Sequence, residues 1–86
     1  MTLETIRAYI IDEFLPGQDP AGLALDQRLL STGIIDSVGA MKLLLFLEQS
    51  FSIEIDAEDI GADQLDTLRS IVALVNAKSA DRAAAG

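Results

Sequence analysis

One serine stands where chemistry is possible. Ser37 lies in the stretch Leu30-Ser31-Thr32-Gly33-Ile34-Ile35-Asp36-Ser37-Val38-Gly39-Ala40-Met41, at the point where an irregular segment gives way to helical spacing. The groups that would activate it are missing from the chain. There is no histidine, so the Ser-His pairing of a hydrolytic serine cannot be built. There is no cysteine, so no protein thiol is available as a nucleophile. Lacking both types, the chain is also without the common Cys/His metal sites. Asp56-Ala57-Glu58-Asp59-Ile60-Gly61 fails the spacing of a calcium loop. Neither catalytic residues nor metal ligands are expected. Carboxylate chemistry remains on composition, but a domain this short has little room for an enclosed substrate pocket of ~300 Å³ or more. Two roles stay open for Ser37. It can cap the helix that follows, a role whose loss would cost about 1 kcal/mol. Alternatively, a separate enzyme modifies it. A phosphate attached there would meet the free N–H groups and positive dipole end of a helix.

The elements that must position Ser37 follow from periodicity. Residues 2–15 read as an amphipathic helix with Leu3, Ile6, Ile10 and Phe14 as its buried stripe and Tyr9 and Ile11 flanking it. Thr2 is the expected cap and Pro16-Gly17 the stop. Residues 16–36 form a long connection punctuated by Gly17, Pro20 and Gly33. Its apolar residues, Leu23, Leu25, Leu29, Leu30, Ile34 and Ile35, require it to lie down on the helices. Long ordered loops of this kind tend to be functional. A second helix is expected over residues 37–50, capped by Asp36 or Ser37. Leu43, Leu44, Leu47 and Phe51 form one stripe and Val38, Met41 and Leu45 another. The second stripe is either buried under the loop or shown to a partner.

Ile53-Glu54-Ile55 reads as an extended turn, and Asp56 is expected to cap a short helical piece over residues 57–60, with Asp59 as capping partner. The six acids of residues 54–66 read as a solvated rim. The last helix begins at Asp66 or Thr67, with Leu68, Ile71, Val72 and Val75 buried. Beyond Lys78 nothing large remains to pack, so residues 1–78 form the domain and 79–86 a flexible tail. The expected class is all-α: a small four-helix bundle of three main helices and one short one, with a long first loop.

Composition limits the partners. Fourteen acids against six bases give 86 residues a net charge of −8. Such a surface repels nucleic acid and disfavours anionic membranes. It either attracts basic protein surfaces or merely keeps a half-apolar small domain in solution. No apolar run approaches the roughly 20 residues that span a bilayer, and the N-terminus is unlike a signal peptide. A cytoplasmic monomer without membrane insertion is expected.

Gly33-Ile34-Ile35-Asp36-Ser37 resembles the modification signature of the acyl, peptidyl and D-alanyl carrier proteins. The segment Leu43-Leu44-Leu45-Phe46-Leu47-Glu48-Gln49-Ser50-Phe51 is similar to that family's second helix. Ile53-Glu54-Ile55 and Asp66-Thr67-Leu68 resemble its later landmarks, so the likeness covers roughly residues 3 to 76. The resemblance implies that Ser37 receives 4′-phosphopantetheine from coenzyme A through a phosphopantetheinyl transferase. It implies that Asp36 meets or helps position that enzyme. It implies that the arm brings the missing thiol and carries an acid as a thioester. Val38, Met41, Lys42 and Leu45 would then be the partner-binding face. Carriers for fatty acid synthesis usually show several acids along this helix, whereas Gly39, Lys42 and Gln49 stand at or near such positions here. The chain is therefore closer to stand-alone peptidyl, aminoacyl or D-alanyl carriers. These are loaded by an ATP-dependent acyl or aminoacyl ligase and unloaded by a downstream acyl-accepting enzyme. Such a protein is not itself an enzyme. The competing readings are a helical interaction domain in which Ser37 is only a cap, and a small hydrolase or lyase without the usual bases.

Overall fold

In a computed structural model of the chain, residues 2–19, 22–56, 58 and 60–85 are described, with side chains given except at 62 and 80–85. Helix α1 is Thr2–Phe14, α2 is Ser37–Phe51 and α3 is Leu68–Ala85. A short 3-10 helix, Ala62–Leu65, precedes α3. The described residues contain no strand, so the all-α architecture with one short helix holds. The short piece expected over residues 57–60 falls partly outside the described residues, as do Asp59 and Pro20. The short helix that is described sits a few residues later. It is closed by Gln64, whose side chain accepts the Gly61 N–H at 3.0 Å.

Why α1 stops is visible locally. Gly17 takes a left-handed φ of 88°, and the Gln18 N–H returns to the Leu15 carbonyl at 3.1 Å. This is the Pro-Gly order of a tight turn in which the glycine bears the positive φ. Thr2 is already helical, so a cap before it would lie outside the described residues. The long connection lies down as its composition requires: Leu23, Leu29 and Ile35 are buried and Leu25, Leu30 and Ile34 pack against the core.

The core gathers Ile6 and Ile10 of α1, Leu43 and Leu47 of α2, and Leu68, Ile71 and Val75 of α3 around those loop residues. Ile11 and Leu74 are buried as well, while Leu3, Phe14 and Val72 are only partly covered. Each of these helices is packed from more than one side. Its buried arc is therefore wider than a single stripe. After α2, Ser52 adopts a left-handed φ of 53° and its N–H caps Glu48. The extended segment behind it buries Ile53 and Ile55 and exposes Glu54. Thr67 caps α3, its hydroxyl accepting the Ser70 N–H at 3.1 Å. The helical backbone of α3 continues to Ala85, past Lys78, through a segment rich in alanine, the strongest helix former.

Candidate functional site

At the head of α2, Asp36 and Ser37 divide their labour. Asp36 is extended, with φ −89° and ψ −174°, and its side chain accepts the Gly39 N–H. That bond is 2.7 Å long, and the Asp36 carbonyl takes the first helical bond from the Ala40 N–H at 2.8 Å. The cap is therefore Asp36. Ser37 is the first residue inside the helix and is exposed, so its hydroxyl is not consumed in holding the helix start. The first amides of α2 offer partial positive charge beside it.

Gly39 seats this helix start on α1. It is buried, and a Cβ there would lie 2.6 Å from Cε1 of Phe14 and 3.1 Å from Oδ1 of Asp36. The Phe14 ring thus lies directly against the first turn. Tyr9 holds that ring edge-on at 6.2 Å and stacks on Phe46 of α2 at 3.9 Å. Sequence reading saw in Gly39 only a missing acid. The requirement for a bare Cα there is set by a residue on another helix.

On the outer face of α2, Val38, Met41 and Leu45 are 65%, 54% and 54% exposed, and Lys42 is exposed among them. The second apolar stripe is open to solvent. The only acid of the helix, Glu48, turns away: its carboxylate accepts the Ile55 N–H at 3.2 Å and holds down the segment after α2. On the other side of Ser37 runs an open groove of about 580 Å³, lined by Leu30, Ile35, Ser37, Leu44, Ile60 and Leu65 among others. A small domain has no need of an enclosed pocket to offer that much apolar shelter.

Asp66 is the residue sequence reading misplaced. It is expected within a solvated acidic rim, yet it is buried. Its Oδ1 accepts the N–H groups of Leu29, Leu30 and Ser31 at 3.1, 2.8 and 3.0 Å. Its Oδ2 accepts the Ser31 hydroxyl at 2.5 Å and Arg28 Nη1 at 3.1 Å. The Ser31 hydroxyl foremost, with the Ser31 amide, Arg28 and the Leu30 amide, holds the carboxyl far below the ordinary range against the opposing effect of burial. A few residues on, Arg69 grips Asp26 with two bonds of 2.8 and 3.3 Å, and the Arg69 N–H reaches the Leu25 carbonyl at 3.1 Å. The loop before Ser37 is thus tied at two points to the start of α3. No local pattern announces these ties, because their partners lie 35 or more residues apart.

Known proteins resemble this chain along nearly its whole length. A family model described as the phosphopantetheine attachment site matches residues 4–75. The D-alanyl carrier protein of Lacticaseibacillus casei (strain BL23) is 35% identical over 77 residues, spanning 87% of this chain and 95% of that protein. The D-alanyl carrier protein of Lacticaseibacillus rhamnosus is 32% identical over the same spans. The solved structure of KstB-PCP in its apo form matches with a TM-score of 0.68 at 34% identity, covering 83% of this chain and 78% of that one. Both the matched family and its relatives extend over nearly the whole fold, and so the chain belongs to the phosphopantetheine-binding carrier proteins, on their peptidyl and D-alanyl side, whose covalent group is 4′-phosphopantetheine.

Proposed function

We propose that Ser37 is the attachment residue and that the protein carries an aminoacyl or acyl group, with D-alanine the first candidate, between an ATP-dependent ligase and an acyl-accepting enzyme. The observation that carries this reading is the exposed Ser37 hydroxyl at the first residue of α2, left free because Asp36 supplies the cap. The relatives' names motivate D-alanine. Absence of acids from the outward face of α2 favours such specialised partners over those of fatty acid synthesis.

The chain's residues suit the group. A phosphodiester at Ser37 would sit beside the first amides of α2, where a negative charge is favoured, and the groove along Leu30, Ile35 and Leu65 offers an apolar bed beside it. In the attachment step the Ser37 oxygen bonds to phosphorus and the pyrophosphate bond of coenzyme A breaks, its nucleotide half leaving with the bonding electrons. The hydroxyl proton passes to a base of the transferase, the Asp36 carboxylate being engaged by the Gly39 N–H. When bound, the arm supplies the thiol that the chain lacks and holds the cargo as a thioester. The chain itself then catalyses nothing: it displays, orients and docks, through Val38, Met41, Lys42 and Leu45. Asp36 orients the serine by fixing the helix start. No helix among the described residues is long and apolar enough to cross a membrane. We place the protein's work in the cytoplasm, as a monomer that visits several enzymes.

The test is intact mass after incubation with coenzyme A and a broad-specificity phosphopantetheinyl transferase. One arm should be added to the protein and none to Ser37→Ala. An adduct that persists in Ser37→Ala, or no adduct on the unaltered protein, refutes the assignment. Loading of the modified protein by a D-alanine-activating ligase then tests the cargo separately.

A further inference from the structure

We propose that Asp66 is a positioning residue for the modification of Ser37: it locks the loop that delivers the serine to the transferase. This rests on the assignment of Ser37 above and extends it to a residue 29 positions away in the chain. The path is continuous. The Asp66 carboxylate gathers the amides of Leu29, Leu30 and Ser31, the Ser31 hydroxyl and the Arg28 guanidinium, and its own carbonyl takes the Leu29 N–H at 2.7 Å. From that anchor the chain turns. The Gly33 N–H bonds the Leu30 carbonyl at 3.1 Å, with Gly33 at φ 81°. The Ile35 N–H bonds the Leu29 carbonyl at 3.0 Å. Ile35 drops into the core, and the next residue is the cap. Residues 29–36 are thereby held between Asp66 at one end and the start of α2 at the other. Leu30 and Leu65, the residues held by and adjacent to Asp66, also line the groove beside Ser37.

A buried charge is an inefficient way to gain stability alone, because its desolvation offsets much of what its bonds return. What it does well is select one loop conformation: one that moves the loop away strips the buried carboxylate of its amide, hydroxyl and guanidinium partners. A transferase must bring the serine oxygen into line with a phosphorus atom, and small errors in such an approach are expensive in rate.

The experiment compares the unaltered apo-protein with Asp66→Asn, Ser31→Ala and, as a control for lost stability, Val75→Ala in the core of α3. Each is taken at a temperature where circular dichroism shows it folded. The readouts are kcat/KM for modification by the transferase with coenzyme A, and amide hydrogen exchange over residues 28–37. Asp66→Asn should lose exchange protection at Leu30 and Ser31, whose amides bond to the carboxylate rather than to the Asp66 main-chain carbonyl, and be modified about tenfold to a hundredfold more slowly. Ser31→Ala, which removes one bond from an exposed residue and keeps the test alive should Asp66→Asn not fold, should move the same way by less. Val75→Ala should be modified at the rate of the unaltered protein. Undiminished modification of both loop variants overturns the inference, as does an equal slowing of Val75→Ala. No modification of the unaltered protein refutes Ser37 itself, and this inference with it.

Discussion

At the scale of single residues, the head of α2 is built from three neighbours with separate tasks: Asp36 caps, Ser37 stays free, and Gly39 lets another helix approach. The last of these yields a test with a sign change. Glycine inside a helix is worse than alanine by up to about 1 kcal/mol, so Gly39→Ala would ordinarily stabilise. Here the new methyl would lie 2.6 Å from the Phe14 ring, which Tyr9 hems in, and such overpacking costs about 1–3 kcal/mol. Gly39→Ala should therefore lower stability in urea denaturation of the otherwise unaltered protein, yet raise it in a Phe14→Ala background where the ring is gone. A stabilising effect in both backgrounds would show that the ring contact does not restrain this helix. Asp36→Ala, by contrast, should cost about 1 kcal/mol in either background, as loss of a cap does.

At the scale of elements, α2 shows how much was legible. Its two apolar stripes were readable from spacing, and the excess of apolar surface left two outcomes, burial under the loop or an exposed face. Val38, Met41 and Leu45 decide for exposure. The loop's apolar residues likewise announced that it would lie on the helices. What spacing could not reveal was any contact whose partner is far along the chain: the burial of Asp66 beneath the loop, the Phe14 ring against Gly39, the inward turn of Glu48, or the extra buried positions Ile11 and Leu74. Periodicity describes one helix at a time, and these are properties of pairs. The exposed face gives the element's own prediction. Met41→Asp should change stability by no more than about 0.5 kcal/mol, since the side chain is half exposed and outside the core. Ligase loading of the modified protein should fall about tenfold or more, the loss typical of an apolar anchor at an interface. Loading that is unchanged by Met41→Asp would remove this face from the docking reading.

For the whole molecule, charge and pH act in opposite directions. With a net charge of −8, the folded state repels itself at neutral pH, and protonating exposed acids on the way down from pH 7 relieves that repulsion. Asp66 acts the other way. Its carboxyl is lowered from an ordinary value of 3.8 by its hydrogen bonds, and Asp26 is lowered by Arg69. A carboxyl depressed in the folded state contributes stability that is complete above its unfolded pKa and disappears as pH falls through its folded one. The loss therefore begins near pH 4 and continues below it, whereas relief of repulsion comes first. Stability should hold or rise slightly from pH 7 to about 5, then fall steeply below about 4. The Asp66 share can be isolated by comparison with Asp66→Asn, whose amide does not titrate: the stability gap between the two proteins should be constant above about pH 5 and shrink steadily towards pH 2. Arg28, which faces Asp66, and the Asp26–Arg69 pair are common to both proteins, so neither confuses the reading. A gap that stayed constant down to pH 2 in urea denaturation would mean that the carboxylate's charge does not hold the loop. The clamp would then hold as well with a neutral carboxylic acid as with its anion.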